Sequence, residues 1–476
     1  MTEAKFTEGS VFRHISVMTA TAMAGLMALF VVDLVDLYFL SLLGESELAA
    51  AVGYAGTILF FTTSISIGLA IAMAALVARA VGAGEHRRAH RYVVHVSLFS
   101  LIVTVPLAAV VWLAIPTLLT WIGAAGRTHE LATTYLSIIV PSMPILALAM
   151  GMGGALRAVG AARLSMASTM TGGLVNAVLD PILIFGLDLG IAGAAWASVA
   201  ARVAVLLVGA YGVVVQTKIF GKFKASALRR DMLSISKIAG PAILTNVATP
   251  FGNAYVVASM AAFGDEAVAG FSIIGRIIPV AFGAIFALSG AVGPVIGQNV
   301  GAKKIDRIRR ALLDALLLST GIVLLATAIL YLLQDQIAAA FSASKGAATL
   351  ISFFATYIAG MFVFNGAQFI ANAAFNNLGR PLWSSYVNWG RVTIGTIPFV
   401  WLGATLLGPE GVLLGQAIGG VIFGTGAFYV AFGLCADSMT EIRKRESRSL
   451  LFRVPLSAQT IYRGWTGVFG TDKLER

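Results

Sequence analysis

About 20 consecutive apolar residues are enough to carry a helix across a bilayer. This chain has twelve such runs, near 14–42, 49–79, 93–121, 131–157, 164–187, 190–217, 236–262, 267–299, 311–334, 350–377, 382–407 and 411–436. The runs are continuous, without the apolar–polar alternation of a membrane β-barrel. Apolar residues make up 58% of the 476 and charged residues 12%, against roughly 25% charged in a soluble protein. Such a composition excludes a soluble globule, a disordered chain and a nucleic-acid-binding domain, despite the net charge of +11. The lone Cys435 excludes a disulfide framework, and no zinc site is read from the five histidines. The first run, flanked by Lys5, Arg13 and His14, is too long for a signal peptide and lacks a cleavage site. The reading is an all-α polytopic membrane protein of twelve transmembrane helices.

The basic residues orient it. The N-terminus, the even-numbered connections and the C-terminal tail hold 28 of the 33 Lys and Arg. The opposite loops hold only Arg127 and Lys345, together with acids such as Glu45, Glu47, Asp265 and Glu266. The positive-inside rule then places both termini in the cytoplasm of a bacterial inner membrane, with contact to anionic lipids. The expected organisation is a cytoplasmic N-terminus (1–13), an N-lobe (14–217), a linker (218–235), a C-lobe (236–437) and a cytoplasmic tail (438–476). The tail carries Trp465 and Phe469.

The two halves repeat each other. VGAGEHRRAHR begins at Val81 and VGAKKIDRIRR at Val300, so that Gly82 and Gly301 stand 219 apart. Gly160 and Gly379 have the same spacing, and the outer turns GESELAA at Gly44 and GDEAVAG at Gly264 lie 220 apart. Six spans per half make this a parallel repeat about an axis along the membrane normal. Two paired lobes with a cleft between them suit alternating access.

Ionisable groups within spans are costly and mark function. Span 1 carries Asp33 and Asp36, span 5 carries Asn176 and Asp180, and span 6 carries Ser198 and Arg202. Asn176 is i−4 from Asp180, on the same helix face, and both Asp36 and Asp180 lie about 10 Å below the outer ends of their helices at 1.5 Å rise per residue. These residues form one expected cation-coupling cluster: Asp36, Asn176, Asp180 and Ser198, with Asp33 and Arg202 as accessories. A buried carboxyl favours its neutral form and a neighbouring guanidinium its charged form, a competition suited to binding and releasing a proton. The same oxygens suit sodium. Arg276 and Arg391 read as structural. The C-lobe spans carry amides instead, including Asn246, Asn253, Asn365, Gln368, Asn372, Asn376 and Asn377, most of them expected to bond between helices. Met27, Phe30, Asn365 and Gln368 are the expected substrate-cavity residues. The 51 glycines read as helix packing; GAGE and GAKK lack the GxxxxGK[ST] of a phosphate loop, so no ATP-binding domain is expected. Pro141, Pro144, Pro241, Pro250, Pro279, Pro294 and Pro398 are expected to loosen spans 4, 7, 8 and 11.

VDLVDLYFLSLLGESELAA resembles the first-span signature of multidrug and toxic compound extrusion (MATE) transporters. ARAVGAGEHRRA and IGQNVGAKKIDR resemble that family's paired loops, and LRAVGAARLSM with NAVLDPILIFGLDLGIAGAAWAS resembles its spans 4 to 6. The resemblance runs from about residue 14 to 437. It implies two six-helix lobes in a V and export of small amphipathic organic compounds by a monomer, driven by inward proton or sodium flow. Asp36, Asn176, Asp180 and Ser198 match the N-lobe cation site of the DinF-like branch. The acids of spans 7 and 10 in the NorM-like branch are missing here, and Thr21 stands where the family has a proline early in span 1. A lipid or lipid-linked-precursor flippase and an organic-acid exporter of the same fold are alternatives. A membrane-embedded enzyme or a channel lacks support from any clustered nucleophile, metal site or cofactor site.

Overall fold

The computed structural model describes residues 4–41 and 46–453, with the side chains of 33, 34, 36–38, 40, 41, 46 and 49 and those from 437 onward outside the description. Trp465 and Phe469 lie outside the described residues. All regular structure described is helical, as expected of backbone that must satisfy its own hydrogen bonds in hydrocarbon. The helices are α1 (Val11–Ser41), α2 (Ser46–Gly82), α3 (His86–Trp121), α4 (Gly126–Ile139), α5 (Met143–Ala158), α6 (Ala162–Pro181) and α7 (Gly190–Tyr211). There follow α8 (Ala225–Ala261), α9 (Asp265–Gly301), α10 (Ile305–Ala340), α11 (Lys345–Phe353), α12 (Phe362–Asn377), α13 (Leu382–Val392) and α14 (Ile397–Arg453). Among the described residues, ten segments are long and apolar enough to cross a membrane. One of them, Leu382–Ala436, is two spans that meet inside α14 at Gly408, whose φ of 64° and the following Pro409 turn the chain there. The 37-residue α8 is also long enough, but its Thr, Asn, Ser and charged residues lower its hydropathy. The twelve expected spans are thus accounted for.

The repeat is written into the backbone. Helices α2 and α9 begin and end 219 residues apart, as do α3 and α10; α4 and α11 start, and α5 and α12 end, at the same spacing. Left-handed residues recur in step at Gly84 and Lys303, Gly123 and Ser342, and Gly160 and Gly379. So does a three-residue 3-10 turn, Val140–Ser142 in one half and Ala359–Met361 in the other. Buried apolar side chains form two main clusters, one spanning residues 48–239 and the other 256–413. The connection between halves is shorter than the expected 218–235, because α8 starts at Ala225 and its Ile235, Ile238 and Ala239 belong to the first cluster. The chain divides into two units, up to Ala431 and from Phe432 on; the second is helical to Arg453.

The halves meet along α1, α2, α8 and α9. At the basic ends of α2 and α9 the contact is reciprocal: a Cβ on Gly82 would overlap the Gln298 carbonyl, and one on Gly301 would overlap the Arg79 carbonyl. Because Arg79 and Gln298 are themselves 219 apart, this is the self-complementary contact of a two-fold axis, here within one chain. Small residues at the crossing let the backbones touch, as helices in lipid require for tight packing. Toward the opposite ends, Gly56 on α2 and its counterpart Gly275 on α9 face open space.

The N-terminal segment seals the closed end. The Phe6 N–H donates to Gln298 Oε1 (2.9 Å), whose Nε2 donates to the Ala158 carbonyl (2.8 Å). Asn299 and Arg307 donate to the Phe6 carbonyl, and Lys304 Nζ to that of Thr7. Residues 6–9 are therefore bonded to α9 and α10, and Gln298 carries the tie on to the basic end of α5.

A second tie joins α3 to the start of α8. Asp231, 1% exposed, accepts from Arg91 Nε (2.6 Å) and from His95 Nδ1 (2.8 Å). His95 Nε2 accepts the Lys224 N–H, so Nδ1 carries the proton that it donates. Burial alone would raise the Asp231 carboxyl, but the hydrogen bonds from Arg91 and His95 outweigh it and hold the group below the ordinary carboxylate range. The stability this contributes is present above the ordinary carboxylate range and is lost as pH falls through the lowered value. Asp231→Asn is expected to cost about 2 kcal/mol, less than a sealed ion pair because Arg91 reaches solvent. The measurement is detergent-solubilised melting at pH 7 and at about pH 2: the advantage of the wild type over the variant should shrink at the lower pH, and a constant difference would refute the assignment.

Candidate functional site

Asp180 stands in the last turn of α6, immediately before Pro181, which lacks the N–H that would bond the Ala177 carbonyl. The chain continues as a π-helical turn, Ile182–Gly186, a distortion common at functional sites. Asp180 is fully buried and accepts a hydrogen bond from Asn176 Nδ2 at 2.8 Å. The expected i−4 pair is therefore formed.

Neighbouring helices bring the remaining candidates to this level. Gly172 of α6 packs on Ala201 and Val205 of α7, while Gly193 of α7 packs on Leu183 and Ile184. The two helices run antiparallel, and interpolating between these contacts sets Ser198, which is half-buried, opposite the stretch from 176 to 180. Helix α1 runs alongside α6 in the same direction: Gly25 meets Met166 and Thr169, and Val32 meets Gly173. One further turn of α1 brings backbone position 36 level with Asn176–Asp180. The side chains of Asp33 and Asp36 lie outside the described residues. Helix α1 is continuous from Val11 to Ser41, and Thr21 Oγ1 donates to the Val17 carbonyl within it.

Arg202 is not where the sequence reading puts it. Its NH1 donates to Ser142 Oγ (2.7 Å) and to the Ile139 carbonyl (3.2 Å), at the 3-10 turn between α4 and α5. That turn frees carbonyls around Pro141, and a guanidinium satisfies them; the arginine is turned toward α4–α5, away from the expected role as partner of the acids. Arg202→Gln is expected to cost about 2 kcal/mol of stability, the worth of hydrogen bonds to a charged donor, and to leave the pH profile of transport in place. A shift of the profile's midpoint by a full pH unit would overturn this assignment.

The four expected substrate-cavity residues are not brought together. Met27 and Phe30 pack from α1 onto Gly283 of α9, at the junction of the halves. Asn365 lies against Gly420 of α14. Gln368 is buried inside the C-lobe, donating to Asn388 Oδ1 (2.9 Å), while Asn388 Nδ2 reaches Asn372 Oδ1 (3.2 Å). This amide network, with Asn388 missing from the sequence reading, occupies the C-lobe helices that lack an acid. Of the other expected amides, Asn246 bonds its own helix at the Ala242 carbonyl. Arg276 is exposed, and Arg391 leaves a buried Nε without a partner. His86 and His90 stand i, i+4 on α3, the spacing of a ligand pair, but no group of three or more metal-ligating side chains occurs among the described residues. Gln298, Asn299 and Arg307 were also missed as the ties of the closed end; the signal was a Gln-Asn pair inside the apolar run before GAKK.

Comparison with known proteins agrees with this architecture. The MatE family model matches residues 22–182 and again 241–402, two copies that begin 219 residues apart. A FAD transporter of Shewanella oneidensis is 28% identical over 88% of this chain and 94% of its own length. The multidrug export protein MepA of Staphylococcus aureus is 24% identical over 79% of this chain and 83% of its own. Among solved structures, a point mutant of the Vibrio cholerae MATE transporter VcmN superposes with a TM-score of 0.85 at 26% identity, covering 90% of this chain and 97% of that one. A multidrug resistance MATE family transporter of the MOP superfamily, solved in an outward-facing conformation, gives 0.86 at 24% over 92% of this chain and 98% of that one, a likeness of fold. The protein is a multi-pass membrane transporter for small compounds and not an enzyme: the chain belongs to the MatE family.

Proposed function

We propose that this transporter exports amphipathic organic compounds from the cytoplasm in exchange for protons, coupled at Asp180 with Asn176, Ser198 and Asp36. The fully buried Asp180–Asn176 pair carries this reading, because an acid in that setting must exchange a proton or a cation to be worth its cost. Asn176 donates to the carboxylate, a partner suited to a group that takes up and releases a proton. With the basic ends and both termini in the cytoplasm, the contacts of Gly82 and Gly301 close the inner side, and the open surroundings of Gly56 and Gly275 lie outward. Protonation from outside removes the charge of the carboxylate, weakens its hold on Asn176 and biases the lobes toward the other state; release inside resets it. The test uses proteoliposomes. A pH gradient in sodium-free buffer should drive export and a protonophore should collapse it; export on a sodium gradient with the protonophore present would overturn proton coupling.

A second reading is favoured by the Shewanella oneidensis relative: export of a flavin dinucleotide or similar anionic heteroaromatic compound. The C-lobe amides suit a neutral heteroaromatic ring better than an organic cation, and Gln368 Oε1 is buried without a partner. Flavin accumulating in the medium of expressing cells, above the level of cells carrying the empty vector, would establish it.

A further inference from the structure

A cavity of about 820 Å³ lies at the basic ends of the helices, away from Asp180, and its wall is shared by both halves. One half contributes Arg79 and the Glu85–Arg88 turn; the other contributes Lys237 of α8, Gly301 and the Gly379–Tyr386 segment. Glu85 is already paired with Arg88 at 2.7 Å. Arg79, Lys237 and Arg380 have no carboxylate within ion-pair distance among the described residues, so the cavity keeps an uncompensated positive charge. Like charges repel, and the carboxylate in the wall, Glu85, is taken by Arg88, so three further cations around one recess suit an anionic ligand.

The segment that carries Arg380 also brings aromatic rings to the recess. Trp383 and Tyr386 pack edge to face and are 40% and 63% exposed, on the outer side of a helix that starts at the end of a membrane span. Amphipathic rings at the end of a span sit at headgroup level. Several cations at that depth, with Trp383 and Tyr386 beside them in the lining, fit one ligand chemistry: a phosphate attached to an acyl-chain body. We propose that this recess binds the headgroup of an anionic phospholipid, its phosphate held by Arg79, Lys237 and Arg380 and its chains lying against Trp383 and Tyr386. Because Arg79 and Arg380 come from different halves, and Arg79 lies at the Gly301 contact, the bound lipid bridges the closed end and favours the conformation described here.

The experiment reads Trp383 in lipid nanodiscs. Quenching by bromine-labelled phosphatidylglycerol is compared with quenching by equally labelled phosphatidylcholine, and the Trp383→Phe protein supplies the signal of the other tryptophans for subtraction. The Trp383 component should half-saturate at about tenfold lower mole fraction of the anionic lipid, a modest share of what several basic residues supply near a membrane. In Arg79→Gln/Arg380→Gln the two curves should coincide, while Arg127→Gln, outside the recess, should keep the preference. If the double variant does not fold, Lys237→Gln should reduce the preference instead. Coincident curves in the wild type, or a preference undiminished by these substitutions, would overturn the proposal. Loss of the preference on adding glycerol phosphate, but not on adding equal chloride, would overturn it too, since it would mark the recess as a site for soluble phosphates.

Discussion

Asp180→Asn is expected to reduce coupled export to the background of cells lacking the transporter, with normal amounts of protein in the membrane. The substitution keeps the volume and lets the side chain remain bonded to Asn176, but it removes the titration. Since Asp180 is fully buried, the amide also relieves the cost of holding a carboxylate there, so the variant should melt at or above the wild-type temperature. Loss of transport together with retained stability separates a coupling role from a structural one. Resistance or export at wild-type levels, at matched expression, would remove Asp180 from the mechanism. Asp36→Asn should behave alike, its backbone position being level with Asn176–Asp180.

Adding one methyl at the two-fold contact should have a comparable effect through a different cause. In Gly82→Ala the new carbon would overlap the Gln298 backbone carbonyl, which cannot rotate away as a flexible side chain would. The basic ends of α2 and α9 must then part, at a cost of about 3 kcal/mol for overpacking against backbone. Because the pair is reciprocal, Gly301→Ala against the Arg79 carbonyl should match it in size. Both should lower export by more than about tenfold, since a penalty of that size on one state of an alternating cycle shifts its population by more than a factor of ten. Gly56→Ala, facing open space, should transport like the wild type. Equal activity in all three would mean that the closed contact is not part of the cycle.

Residues 6–9 extend the same logic. They bond to Gln298, Asn299, Lys304 and Arg307 across the closed end, so every opening of that end must release them. Their short sequence reads only as part of the cytoplasmic N-terminus, because the partners that give it a role stand 292 to 301 residues away in the chain.

The sequence by itself determined the class, the spans and the repeat, since apolar length and glycine spacing are local properties that hydrocarbon and helix geometry act on directly. It also determined the Asn176–Asp180 pair, because a spacing of four on one helix needs no tertiary information. The bend in the fourth span was only half legible: Pro141 announces it in one half, yet the same turn recurs at Ala359–Met361, where the counterpart of that proline is Gly360. Packing, and not proline alone, sets that turn. Arg202 shows the limit most clearly. Sequence proximity to Ser198 suggested the acids as partners, but a guanidinium on a long stem reaches whichever unsatisfied oxygens surround it, and those belong to Ile139 and Ser142. The reciprocal touch of Gly82 and Gly301, the Gln368–Asn388–Asn372 network and the shared basic recess were likewise decided only by the tertiary structure. Each needs atoms from more than one helix, and the pairing of helices is a property of how the surfaces fit, which no single run of residues contains.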